Sequence, residues 1–398
     1  LHRMPKTLDE KQALAAELVQ GRVLAGENRY AAATPHFTTV EKGGDERLAA
    51  QAIFYHTTAA LNAGAITAPQ AINQLEKLRF RWRGDGLELR TLRKLASLYF
   101  GGNKYREGLK ILRVANQSFQ GEDAGRIAQD DMRGAFVNLF LKGGADKMKP
   151  VDALALFYDN LDLTPIGPDG DEMIRRMSDR LVAVDLLGPA ANLLAYQVDK
   201  RLDGIAKAQV ATRLAAVYLM DHKADKAVAA IRDSQISGLP QEDMHQRMLL
   251  EARAFAALKQ WDNALDLIAV DQSDDTKRLR ADIYWESGNW ALAGQKAEEM
   301  LANRWNDASP LSDIERSQIL RTAVAYSLAN DEASLARVRD HFAPKMKGTQ
   351  DANLFQVLAA DIDQHGLAFR DAAARIASLD TLEAFMKDFT RRKADAKS

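Results

Sequence analysis

The chain has 398 residues, with 54 Lys and Arg against 55 Asp and Glu, so its formal net charge of −1 argues against a general nucleic-acid binder, which carries a basic excess. Hydrophobic residues make up 46% and charged residues 27%, ordinary for a globular chain and too apolar for disorder. Cysteine is absent, which excludes disulfides, zinc-thiolate and iron–sulfur centres and cysteine nucleophiles, and suits an oxidising compartment without fixing one.

The N-terminal Leu-His-Arg-Met-Pro-Lys is not an initiator and has no apolar signal core, so the chain is expected to be a fragment or mature form of something longer. No stretch approaches the roughly 18–20 uninterrupted apolar residues of a membrane-spanning helix, so no membrane insertion is expected. Apolar residues recur at three- and four-residue spacing in almost every window, and strand-like alternation is nearly absent. Gly and Pro punctuate the pattern at Gly43-Gly44, Gly64, Gly101-Gly102, Gly143-Gly144, Gly188-Pro189, Gly288 and Pro310. The expected class is all-α, with about twenty helices of roughly 10–20 residues joined by short loops.

In chain order, Gly21 and Leu24 followed by Ala33, Phe37 and Val40 form the first candidate helix pair. The run Arg79-Phe-Arg-Trp-Arg-Gly-Asp85 mixes guanidinium and aromatic groups of the kind that grip phosphates or stack on bases. Leu75, Leu78 and Trp82 continue an apolar stripe there, however, so Trp82 is read as core with arginines around it. Leu92, Leu95, Ala96 and Tyr99, then Gly108, Leu112 and Ala115, make a second clear pair. From Gly143 the character changes, with turn-rich stretches at 143–150 and 162–171 around a short helix, read as an irregular helical insert. Asp169, Asp171 and Glu172 beside Gly170 form an oxygen-rich cluster, but the final acidic ligands of a calcium loop are missing. Helix capping is the plainer reading.

Beyond the insert, Leu214, Ala215 and Tyr218 are followed by Ala227 and Ile231; then come Met248, Ala252 and Phe255 with Ala264 and Ile268; then Ala281 and Tyr284 with Ala293 and Ala297. Residues 368–389 read as two amphipathic helices that cap the end of an array, followed by a basic tail from Arg391 to Lys397. The seven histidines (His2, His36, His56, His222, His245, His341, His365) show no metal-ligand spacing, and no phosphate-cradling or nucleophile-elbow motif is present. No metal or cofactor is expected.

These pairs fit the tetratricopeptide signature, Trp-x2-Leu-Gly-x2-Tyr followed by Ala-x3-Phe and Pro in a 34-residue unit. The sequence therefore resembles tetratricopeptide-repeat proteins, most clearly over 92–120 and 211–297. Small residues at slots eight and twenty let paired helices approach, and a large residue at slot eleven fills between them. Ala227, Ala264 and Ala293 share a slot but are 37 and 29 residues apart, so the repeats are degenerate.

The resemblance implies a right-handed α-solenoid of antiparallel helix pairs, with repeats over 1–142 and 204–345, the insert at 143–203 and a cap at 346–398. It also implies a non-enzymatic scaffold that binds a protein or peptide partner in a groove of first helices. Slots facing that groove nominate Arg90, Arg93 and Phe100, then Arg253, then Arg278, Asp282 and Trp285. Arg278 and Asp282, four residues apart, share a face on which they could form a modest ion pair, and Trp285 is expected to be at least partly exposed beside them. Two other readings are a self-assembling module of the cell envelope and a helical-toroid enzyme acting on polysaccharide through Asp169, Asp171 and Glu172. The phrases at 78–85 and 163–175 look like the C-terminal repeat region of large bacterial envelope proteins, which implies a periplasmic location; cytoplasm is the alternative. Oligomeric state is not legible.

Overall fold

The computed structural model describes residues 9–361, 366–377 and 381–395. Every regular element among them is helical: 21 α-helices and two short 3-10 turns. No described helix is long and apolar enough to cross a membrane. The chain divides into two compact units, residues 1–173 and 174–398, with the division falling inside the segment expected to be an insert.

The first unit contains α1 (Glu10–Gly26), α2 (Tyr30–Glu41), α3 (Glu46–Asn62), α4 (Ala68–Arg81), α5 (Gly86–Gly101), α6 (Tyr105–Ser118), α7 (Asp123–Phe140), α8 (Pro150–Asp159) and the start of α9 (Pro168–Val182). The second continues with α10 (Leu187–Lys200), α11 (Gly204–Met220), α12 (Ala224–Arg232), α13 (Gln241–Ala257), α14 (Trp261–Leu267), α15 (Asp274–Glu286) and α16 (Trp290–Leu301). It closes with α17 (Asp313–Leu328), α18 (Glu332–Met346), α19 (Ala352–Leu358), α20 (Leu367–Ala377) and α21 (Thr381–Asp395).

One turn builds most of the hairpins. The first helices α1, α3, α5, α9, α11, α13, α15 and α17 each end with a left-handed residue: Asn28, Gly64, Asn103, Asp185, His222, Lys259, Gly288 and Asn330. The next amide donates back to a carbonyl five residues earlier, that of Leu24, Ala60, Tyr99, Leu181, Tyr218, Phe255, Tyr284 and Tyr326, at 2.8–2.9 Å. This is the Schellman closure, which satisfies the last carbonyls of a helix while reversing the chain. The carbonyl that accepts belongs, in most pairs, to the large slot-eleven residue. The pair α9/α10, in the segment expected to be irregular, closes in the same way.

Successive helices touch from α1 to α7 and from α10 to α20, and first helices touch the next first helix: α1 with α3 and α5 with α7, then α11 with α13 and α13 with α15. That is the packing of an α-solenoid. The small-residue slots behave as their spacing predicts: Ala227, Ala252, Ala264 and Ala281 are all buried where helices meet. At Gly294 an added Cβ would stand 2.8 Å from the Tyr326 ring, so the side chain must be absent for α16 and α17 to approach.

Polar ties run between neighbouring helices as well. The hydroxyl of Tyr99 donates to Glu76, and that of Tyr326 donates to Glu298, each reaching the preceding second helix. Burial and the adjacent Glu76 push the Tyr99 phenol up to about 12, and Tyr326 is pushed up further for the same reasons. Arg247, on α13, is buried and donates to the carbonyls of Ala208 and Ile231 and to the hydroxyls of Thr212 and Ser234. It thereby stitches α11, the end of α12 and α13 together.

The C-terminal helices part ways. Phe369, Ala372, Ala373 and Ile376 of α20 join the core of α17 to α19, as an end cap would. The expected cap fails for α21, which lies instead along the first helices of its own unit. The side chains of the basic tail, and residues His2 and His365, lie outside the described residues.

Candidate functional site

Helices α11, α13 and α15 form a wall in the second unit, and α21 is seated on it. Leu382, Phe385, Met386 and Phe389 recur at i, i+3, i+4 and i+7, which gathers them on one helical stripe. Met386, 5% exposed, enters the cluster of Ala215, Ala216, Leu219, Leu250 and Ala254, with Leu382, Phe385 and Phe389 around it. Phe385 also reaches the neighbouring cluster of Leu249, Phe255 and Leu279. Ala215, Ala216 and Ala254 leave a shallow furrow that admits Met386 between the larger Leu219 and Leu250. Full burial of one such side chain contributes about 1.5–3 kcal/mol.

Polar contacts fix direction. Thr381 meets Glu286, at the end of α15, and accepts from Arg253 Nη2 at 3.3 Å. Seven residues on, Asp388 meets Arg278 Nη1, near the start of α15, at 3.5 Å. Helix α21 therefore runs antiparallel to α15 over two turns.

A cavity of about 450 Å³ remains between α21 and the helices α15, α16 and α17, lined by Asp282, Trp285, Met300, Arg321, Ala384 and Phe389 among others. Arg321 stacks on the Trp285 ring at 4.6 Å from its centroid and donates to Asp282 Oδ1 at 2.5 Å. Its Nη2 is buried with no acceptor, as is Nε of Arg253. Burial pushes the Asp282 carboxyl upward, and the Arg321 guanidinium opposes that shift.

The nominated residues fall in different places. Trp285 is 6% exposed, not a surface anchor: it meets Trp290 edge to face at 5.2 Å and is roofed by Arg321 of the next first helix. Arg253 is 3% exposed, bonded to Glu286 at 2.6 Å beneath Thr381. Both were expected to be open; a single-repeat register says which way a side chain points but not what covers it. The Arg278–Asp282 pair does not form, because each has a partner on another helix, Asp388 and Arg321.

In the first unit Arg90 is exposed, and Arg93 forks onto both carboxylate oxygens of Asp131 on α7. Phe100 is half-buried over Gly108 and stacks with Tyr105 at 6.3 Å, so it serves its own hairpin. Near the end of α4, Phe80 is 65% exposed, with Arg79 and Arg83 over its ring at 4.6 and 5.7 Å. Trp82, read as core, is only half-buried, because α4 stops at Arg81 and the backbone there turns extended. Asp169 and Asp171 occupy the first turn of α9, where the helix dipole favours acids, with Glu172 directly after. Among the described residues no group of three metal-capable side chains converges.

Sequence reasoning missed the seat of α21 and the stitching by Arg247. The 382/385/386/389 stripe did announce a buried face on α21; nothing local named its counterpart.

No family model matches the chain, and no curated protein matches it. Among solved structures it is similar to the tetratricopeptide-repeat domain of P58(IPK), at 12% identity over 97% of this chain and 99% of that one, with a TM-score of 0.27. The helical-hairpin architecture described above rests on the chain's own packing.

Proposed function

We propose that the chain is a non-enzymatic interaction scaffold that binds an α-helix of a protein partner on the α11/α13/α15 wall. The observation that carries this reading is the seating of α21: four apolar side chains on one stripe, anchored at both ends by arginines of the wall. A surface that takes one amphipathic helix in this way has the furrow, apolar floor and polar rim that helix-in-groove recognition uses. The cavity beside it supports binding over catalysis, because Asp282, whose carboxyl burial pushes upward, is committed to Arg321, which does not exchange its proton. We also place the protein in the periplasm, on the absence of cysteine and the envelope-like phrases; fractionation of its native cells checks this.

The test is site-resolved. A photo-crosslinking residue replaces Arg278, Phe80 or Arg90 in the full chain, which is then exposed to native extract. Cross-links to a helix of one recurrent protein from position 278 are expected. Cross-links from position 80 or 90 alone would sink the wall as the binding surface.

A further inference from the structure

Resting on that reading, we infer that α21 is a built-in competitor for the wall, and that the partner is an amphipathic helix carrying the α21 pattern with a longer polar side chain at the Ala384 position. Three observations carry this. First, α21 has the full recognition set: apolar residues at 382, 385, 386 and 389, a hydroxyl at 381 and a carboxylate at 388, each matched by the wall. Any helix using the wall must take the same furrow, since Met386 already occupies the alanine-lined floor.

Second, the fit is incomplete. A half-open cavity of about 450 Å³ lies beside α21, and the exposed methyl of Ala384 is at its edge. Unfilled volume forfeits dispersion contacts that a better-fitting ligand gains.

Third, the space beside α21 is lined by charged and polar side chains, Asp282, Asp313, Gln318 and Arg321 among them. A ligand side chain that reaches these groups adds hydrogen bonds that a methyl cannot make. Glutamine at the Ala384 position suits that lining, because its carbonyl oxygen can accept from a guanidinium and its amide can donate to a carboxylate. A self-ligand that covers the wall yet leaves it under-filled is displaced by a partner that completes it, which sets a threshold for binding.

The experiment uses the full chain and a fluorescein-labelled synthetic peptide of residues 381–395. Met386→Glu with Phe389→Ser releases the chain's own α21, with circular dichroism checking that the remaining helices persist; Phe389→Ser alone serves if the double variant does not fold. The released chain is expected to bind the peptide at least about tenfold more tightly than wild type does, because wild type is self-occupied. The Ala384→Gln peptide should bind the released chain about fivefold more tightly than the native peptide, the worth of one added hydrogen bond. A Met386→Glu peptide should not bind. Equal binding to wild type and released chains, or none to either, would overturn the competitor. So would a wild-type dimer that the releasing substitutions convert to monomer, since α21 would then belong to a second copy. Cross-links at position 278 with no such competition would leave the scaffold reading standing; competition without partner cross-links would do the reverse.

Discussion

The two units present first-helix walls of the same kind and put them to different use. On α5 and α7, Arg93 bridges to Asp131 and keeps close to half its side chain in solvent, and Arg90 is open. On α13, α15 and α17, the comparable bridges Arg253–Glu286 and Arg321–Asp282 also tie one first helix to the next. There, however, Arg253 lies under α21, and Arg321 roofs Trp285. An arginine–carboxylate bridge thus has no fixed value in this fold. In the open it contributes about 0.2–1 kcal/mol, whereas breaking one that is covered leaves a charge without solvent or partner.

The sharpest way to break that contrast is to truncate one residue from each wall. Trp285→Ala removes a buried indole and should lower stability by about 3–5 kcal/mol, while Arg93→Ala should cost at most about 1 kcal/mol. Denaturant unfolding of both variants would show it, and similar midpoints would mean that the walls are not different in kind. Arg247→Met comes next. It keeps volume but removes the guanidinium donors to the Ala208 and Ile231 carbonyls, which retain only the Thr212 and Ser234 donors beside them, for a loss of about 1–3 kcal/mol. A change under about 0.5 kcal/mol would show that α11 and α13 do not depend on that stitch.

Glycine substitution compares the units at matched geometry. Gly294→Ala drives a methyl into Tyr326, which is buried and held by Glu298, and overpacking of this sort costs about 1–3 kcal/mol. Gly108→Ala meets Phe100, whose half-exposed ring can swing aside, so its melting temperature should fall less. The reverse order would show that the first unit is the more tightly packed.

The smallest effect concerns acid. Hydrogen bonds from Arg304, with help from Ser312, hold the Glu315 carboxyl at about 2 against an ordinary 4.5. A depressed carboxylate stabilises the fold above its unfolded value and loses that contribution as protons bind, so the effect disappears between pH 4.5 and about 2. Glu315→Gln should therefore flatten part of the fall in melting temperature over that range and lower stability slightly at neutral pH. An unchanged acid profile would show that the Ser312 capping box does not need its charge.

How much was readable can be followed at the turns. Hairpins were assigned from glycine and proline breaks, which finds Gly64 and Gly288. The same left-handed turn is made by Asn103 and Asp185, beside the breaks at Gly101-Gly102 and Gly188-Pro189, and by Asn28, His222, Lys259 and Asn330, where no break is visible. A non-glycine residue bears a modest strain in that conformation, and the recovered backbone hydrogen bond and apolar contact offset it, so the signal lies in the closure and not in the residue type.

By itself the sequence determined what depends on near neighbours: helix periodicity, the pairing of helices across short turns, and the small slots at Ala227, Ala252 and Ala264. Those follow from the 3.6-residue repeat and from the volume allowed where helices touch. Only the tertiary structure decided which faces stay open. The apolar stripe of α21 states that a face must be buried and is silent on the partner, and Arg278 and Asp282 could have paired within one helix. Instead Asp388 and Arg321 took them, because docking α21 and α17 against α15 set carboxylate and guanidinium groups from distant parts of the chain within reach, and for the part-buried Arg321–Asp282 pair reduced solvent screening adds to that proximity.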